Sequence, residues 1–264
     1  QIADRIASER PVFYVTSEDA PLTLLAKTIA RRAKIDYSAV LRGYQDERDR
    51  IDAAFTVYSQ ELAARHLLYA DATQGIGLQE IHDQAERHFA AMRETTRGDP
   101  VILIDYLQRL VRAEDLLLRT KSNGQGSLGV DARQAATLYT ERLRTLACDL
   151  HCSVICLSAM SRSSGYNAGN NNLSAAKESG DIEYTADVIM TIGVQQEGGV
   201  PVTLPDPSAR AWMIRIDKNR QGLDSNTGGS IELSWYPVLQ TFIERETMPG
   251  ESDQVSERYA RRQK

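Results

Sequence analysis

Among the 264 residues no apolar run approaches the roughly 18 residues of a membrane span, so no membrane partner is expected. A basic excess is also missing. Lys and Arg number 31 against 36 Asp and Glu, for a net charge of -5. No global positive field therefore announces nucleic acid, and any such contact must come from a local patch. No secretory leader is expected: Gln1-Ile2-Ala3-Asp4-Arg5-Ile6-Ala7 reads as mid-helix sequence. With no starting Met, the chain is expected to begin inside a domain. Cysteine is scarce, with only Cys148, Cys152 and Cys156, spaced four apart. Cys148 falls near the end of an expected helix and Cys156 inside an apolar strand, which favours buried apolar thiols over a metal or cluster set. An odd number of cysteines without a leader argues for a reducing, cytoplasmic location. Neither an internal repeat nor a domain linker is evident.

The composition that remains, 42% hydrophobic and 25% charged, is that of a soluble globular protein. The stretch that organises it is Asp99-Pro100-Val101-Ile102-Leu103-Ile104-Asp105-Tyr106-Leu107-Gln108. Its four consecutive apolar residues predict a strand buried on both faces, as in the middle of a parallel sheet. It closes on an acid. Ligands of open α/β sheets bind at the carboxyl ends of strands, and an aspartate there is placed to hold Mg²⁺ on nucleotide phosphates. The alternative is a residue that only caps the next turn.

Similar strands are predicted over Pro11–Thr16, followed by Ser17-Glu18-Asp19, and over Leu67–Asp71, again ending on an acid. Between them Leu22, Leu25, Ala26 and Ile29 recur at helical spacing behind Pro21, and residues from Tyr37 to Arg65 read as charged helix. Ile81, Ala85, Phe89 and Met92 form one helical stripe. The region from Arg112 to Asp131, with Lys121-Ser122-Asn123-Gly124 and more glycine beyond, reads as a polar loop. A helix through Tyr139 and Leu146 leads to the strand Ser153–Ser158, and a second polar loop runs from Ser161 to Lys177. Strands follow at Asp187–Val194, Ala211–Ile216, Ser230–Trp235 and Leu239–Glu244, the last three as an antiparallel extension of the sheet. This order favours an α/β fold with a mostly parallel central sheet flanked by helices. Residues 1–246 are expected to form the domain and 247–264 a polar, frayed tail.

Six segments in this order resemble the ATPase domain of DnaB-type hexameric replicative helicases, within the RecA-like fold. They are Val12 to Asp19; Tyr69-Ala70-Asp71-Ala72-Thr73; Ile102 to Gln108, which is similar to a Walker B segment; Leu157-Ser158-Ala159-Met160-Ser161-Arg162; Lys177 to Glu183 with Ala186-Asp187; and Lys218-Asn219-Arg220 with Gly228 to Leu233. The resemblance implies a RecA-like P-loop NTPase core, ATP and Mg²⁺ as cofactors, single-stranded DNA as partner and a homo-oligomeric, hexameric ring served by a helicase loader or primase. It implies Glu18 as the base that activates water and Asp105 as the Mg²⁺-holding acid. Lys218 and Arg220 become a finger reaching a neighbouring subunit's phosphates. Gln108 and Ser158 contact the nucleotide site, and Arg119, Lys121, Arg162 and Lys177 are the cations of two DNA loops. Each has a plainer alternative: a solvated carboxylate, a turn cap, a surface basic pair, a surface glutamine, a strand-end hydroxyl or ordinary loops.

Two departures stand out. The phosphate-binding pattern G-x-x-x-x-G-K-[ST] is absent from the chain. Gln1-Ile2-Ala3 resembles the helix that follows such a loop, so truncation is expected over loss; without the loop's amides and lysine, ATP should bind poorly. Ala159 stands where the family usually carries glutamine, and a methyl group cannot bond a phosphate or a water. The expected function is an ATP-driven DNA helicase motor. The alternatives are a RecA-like ATPase with another role (plasmid replication, recombination or regulation) and a DNA-binding scaffold with a degenerate nucleotide site.

Overall fold

A computed structural model describes residues 1–43, 45–61, 65–96, 98–121, 132–159, 185–220 and 229–245. The chain divides into two compact units. Residues up to 159, with 185–186 and Val238–Gln240, belong to the first; Asp187–Pro237 and the residues from Thr241 belong to the second.

In the first unit, β1 (Val12–Thr16), β2 (Leu67–Asp71), β3 (Val101–Asp105) and β4 (Ser153–Cys156) form a parallel sheet in the order β2-β1-β3-β4. The helices α1 (Ile2–Ile6), α2 (Pro21–Ala33), α3 (Tyr37–Arg42), α4 (Arg48–Gln60), α5 (Leu78–Met92), α6 (Leu107–Lys121) and α7 (Ala132–Asp149) supply its crossovers and faces. Successive strand residues point to opposite faces, and both faces are apolar here. On one, Phe13, Val15, Ile102 and Ile104 pack with Ile81, Ala85 and Phe89 of α5, Leu107 and Leu110 of α6, and Tyr139, Leu143 and Leu146 of α7. On the other, Val12, Leu67, Val101 and Leu103 meet Ala3 and Ala7 at α1. Burying each such large side chain is worth about 1.5–3 kcal/mol, which is why the uninterrupted Val-Ile-Leu-Ile run sits second from the β4 edge and not at solvent. Asp4 of α1 ties to α2 through Arg31 (2.9 Å) and Arg32 (3.2 Å), and Arg32 also reaches Glu61 (2.7 Å).

The second unit carries an antiparallel sheet, β10-β9-β8-β5, from β5 (Val188–Val194), β8 (Arg210–Asn219), β9 (Ser230–Tyr236) and β10 (Thr241–Glu244). These strands thus make a sheet of their own instead of extending the parallel one. Between β5 and β8, the short strands β6 (Gln196–Glu197) and β7 (Val200–Pro201) close a hairpin through Gly198 and Gly199. Both glycines have positive φ, 57° and 84°, as a two-residue turn of the primed type demands. Among the described residues no helix is long and apolar enough to cross a membrane.

Three local expectations differ from the structure. Residues 112–121, expected as loop, continue α6, whose apolar spacing through Leu107, Leu110 and Val111 outweighs the polar residues that follow. Leu22, spaced as part of an apolar helical stripe, is 75% exposed, and the buried residues of α2 are Thr28, Ile29 and Ala30. Cys148 is exposed at the end of α7, while Cys152 and Cys156 are half-buried, and all three thiols are free. Burial pushes the Cys152 and Cys156 thiols up to about 12, which leaves them protonated and poor nucleophiles. The tail 247–264 lies outside the described residues.

Candidate active site at the carboxyl edge of the parallel sheet

Parallel pairing aligns the strand ends. Thr16 sits opposite Asp71 on one side and Asp105 on the other, and Ile104 sits opposite Cys156. The turns beyond continue the ladder with backbone bonds: Ala72 N–H to the Thr16 carbonyl (2.8 Å), Ser17 N–H to the Asp105 carbonyl (2.8 Å) and Leu157 N–H to the Ile104 carbonyl (2.9 Å). Ser17, 4% exposed, donates its hydroxyl to the same Asp105 carbonyl at 2.6 Å. Glu18 is the next residue. In sequence Glu18 and Asp105 stand at two strand ends, and the sheet makes those ends neighbours on one edge.

The three acids that follow β1 and end β2 and β3 are held differently. Asp19 pairs with Lys27 at 2.5 Å and accepts from the Thr16 hydroxyl through its carbonyl. Asp71 accepts from the Thr73 hydroxyl (2.6 Å) and amide (2.9 Å), bonds that hold its carboxyl below the usual range. Asp105 Oδ2 accepts from the phenol of Tyr14 at 2.9 Å. Burial, reinforced by that carboxylate, pushes the Tyr14 phenol well above its ordinary range, so it stays a donor. Exposed Glu18, by contrast, makes no hydrogen bond or ion pair among the described residues. The Asp105–Tyr106 peptide is cis.

Gln108, in the first turn of α6, is brought to the end of β4. Its Nε2 donates to Ser158 Oγ (2.9 Å) and to the Ala159 carbonyl (3.3 Å), and its Oε1 accepts from the Ala159 amide (3.1 Å). With Leu107 N–H donating to the Leu157 carbonyl (2.9 Å), the side-chain amide acts as one more rung between the β3 and β4 sides. Gln108 and Ser158 are therefore joined, and Gln108 spends its amide on protein groups.

Lys218 and Arg220 belong to the second unit. Lys218 lies opposite Ile189 beside an irregularity in the β5–β8 register. Arg220 follows β8, donating its amide to the Asp187 carbonyl (2.8 Å) and its guanidinium to the Asp187 carboxylate (2.9 Å). Both side chains are well exposed, 43% and 63%, so this pair is worth at most about 1 kcal/mol. Arg119 and Lys121 fall in the last turns of α6. Arg162 and Lys177, with the loop from Ser161 to Lys177, lie outside the described residues.

Two contacts escaped sequence reasoning: Tyr14 on Asp105, and Gln108 on the Ala159 backbone. The first could have been inferred from alternation, because Tyr14 and Asp105 share a face once β1 and β3 are paired in parallel.

Hard oxygen donors at this edge suit Mg²⁺. Among the described residues no group of three or more His, Cys, Asp or Glu could hold a metal ion. The phosphate-cradling pattern does not occur in the 264 residues. Two surface depressions, of about 460 and 320 Å³, are lined by residues such as Glu141 and Arg144 on α7, and Leu25, Tyr58 and Tyr69. Neither includes an edge acid, and convergent hydrogen bonding singles out the edge.

A family model, described as DnaB-like helicase C terminal domain, matches residues 1–244. A solved structure described as an ATPase domain superposes with a TM-score of 0.69 at 18% identity, covering 92% of this chain and 78% of that one. "The Structure Of A DnaB-Like Replicative Helicase And Its Interactions With Primase" superposes with a TM-score of 0.68 at 17% identity, covering 90% of this chain and 51% of that one. The chain thus spans about half of the second structure's length. At such identities the structural likeness is one of fold, and that fold is RecA-like. The comparison with curated proteins returns no match.

Proposed function

Because this chain belongs to the DnaB-like helicase C-terminal domain family, we propose that it is the motor domain of an ATP-driven replicative DNA helicase. It hydrolyses ATP at the subunit interfaces of a hexameric ring and translocates on single-stranded DNA. One observation carries the reading. Both the amide and the hydroxyl of Ser17 donate to the Asp105 carbonyl, so Glu18 leaves a residue fastened to the strand that ends in the metal-holding acid.

Phosphoryl transfer to water needs positioning and charge neutralisation more than covalent chemistry. Glu18, exposed and unpaired among the described residues, orients the attacking water and takes its proton. Asp105 would hold the ion through its carboxylate. Mg²⁺, when bound with nucleotide, neutralises charge on the phosphates. Gln108 and Ser158, bonded to each other at 2.9 Å, contact the nucleotide from the end of β4. Lys218 and Arg220 reach the neighbouring subunit's site, for which Arg220 leaves Asp187 at small cost. Arg119, Lys121, Arg162 and Lys177 contribute cations that track DNA phosphates. A helicase loader or primase is the further partner, the cell compartment is the cytoplasm, and residues 1–246 act as the domain.

The test is made on the complete protein. Glu18→Gln should abolish DNA-stimulated ATP turnover while sparing nucleotide binding, and the parent should displace a strand from forked DNA. Unchanged turnover in the variant removes Glu18 from this role. The second reading, a DNA-binding scaffold with a degenerate nucleotide site, is favoured by Ala159 in place of the family's glutamine. A parent protein that binds DNA but turns over no ATP would decide for it.

A further inference from the structure

We propose that Tyr14 is a positioning residue for the Asp105 carboxylate, fixing which of its two oxygens is offered to a divalent ion. The inference rests on the metal-holding role of Asp105 proposed above. It starts from pairing geometry. Tyr14 of β1 lies opposite Leu103 of β3, and Asp105, two residues further along, projects from the same face of the sheet. Such a diagonal neighbour is within reach of an aromatic side chain, and the Tyr14 phenol closes the gap with a 2.9 Å bond to Oδ2.

The ring that delivers this bond is itself held. On the other side of β1, Tyr69 of β2 lies opposite Tyr14, and the two rings pack at 5.5 Å between centroids with 54° between their planes. Tyr14 is thus braced by one neighbouring strand and bonded to the other. Terminal rotation of an aspartate is broad and shallow, so a carboxylate at a strand end presents either oxygen unless something fixes it. Here Tyr14 is the side chain that hydrogen-bonds the Asp105 carboxylate among the described residues. With Oδ2 engaged, Oδ1 is the oxygen presented. Partners that orient a metal-binding group typically govern metal affinity by about 10- to 100-fold. A contact that merely finishes the strand would change stability and leave the ion's affinity alone.

The probe is Mn²⁺ in the presence of ADP, followed by electron paramagnetic resonance on the complete protein, with Tyr14→Phe and Asp105→Asn in parallel. Tyr14→Phe removes the hydroxyl and keeps the ring. The expected result is a roughly tenfold weaker Mn²⁺ affinity in Tyr14→Phe, with the Mg²⁺ concentration for half-maximal turnover raised by the same factor and kcat changed less. In an Asp105→Asn background the Tyr14→Phe change should add nothing. Mn²⁺ affinity within about twofold of the parent in Tyr14→Phe, beside a clear loss in Asp105→Asn, overturns the Tyr14 proposal alone. Unchanged affinity in Asp105→Asn overturns the reading beneath it. Should Tyr14→Phe fold poorly, 3-fluorotyrosine placed at position 14 gives a second measurement. Its ¹⁹F resonance should move when Mg²⁺ and ADP are added to the parent and stay still in Asp105→Asn; no movement in the parent overturns the proposal.

Discussion

Replacing Ser17 by alanine tests whether Glu18 is held in place through the Asp105 strand. The hydroxyl makes one bond, 2.6 Å to the Asp105 carbonyl, at a site 4% exposed. In the variant that carbonyl keeps the Ser17 amide at 2.8 Å, so no buried acceptor is orphaned and the loss is one neutral hydrogen bond, about 1 kcal/mol. For a domain of this size that lowers Tm by about 2–4 °C, measurable by scanning calorimetry. Activity should respond more strongly. Glu18 follows directly on Ser17, and a displacement of about 1 Å at a catalytic group costs on the order of 100-fold. DNA-stimulated ATP turnover of the complete protein should therefore fall about 10- to 100-fold while Tm moves by a few degrees. Turnover within about twofold of the parent at the lowered Tm would refute the idea that this contact positions Glu18. A fall in Tm far beyond about 4 °C would instead make Ser17 a packing residue.

Arg220→Ala should lower turnover, and mixing variant with parent subunits should restore part of it, as a group acting across a subunit interface requires; no loss at all removes Arg220 from the finger role. Acid stability should depend on His88, which is buried, donates from Nε2 to the His66 carbonyl at 2.9 Å and is held below its ordinary pKa first by burial. The unfolded chain binds the proton more readily. The stability contributed by neutral His88 is therefore complete above an unfolded pKa near about 6.5 and is lost as pH falls from there toward the lower folded value. Comparing urea midpoints at neutral and mildly acidic pH for the parent and His88→Leu checks this: the drop should be smaller in the variant, and an equal drop counts against it.

Sheet and helices were legible where the deciding interactions are local. Val101–Ile104 and Val12–Val15 are apolar without interruption because helices cover both faces of their sheet, and such runs announce themselves. The acids at the ends of β2 and β3 were equally visible. What escaped was contact between distant positions. Tyr14 reads as one more core residue until β3 is laid beside it in register. Gln108 reads as a surface glutamine until Ala159, 51 positions later, offers its peptide group. Arg112–Lys121 misled because polar and glycine-rich neighbours weigh on composition, while the helix is set by apolar spacing from Leu107 onward. Separation of the antiparallel strands into their own sheet depends on which edges pair, and strand patterns alone do not encode that.

The matched endings of β1, β2 and β3 make this rim intolerant of length changes in a way that it is not of substitutions. Each residue added to a strand advances its end by about 3.3 Å and turns every later side chain to the opposite face. A single codon inserted between Val101 and Asp105 would carry the acid away from Ser17 and swing it off the side where Tyr14 waits, while composition and apolar character stayed almost as before. Genes encoding such a rim can drift in letters far more freely than in spacing.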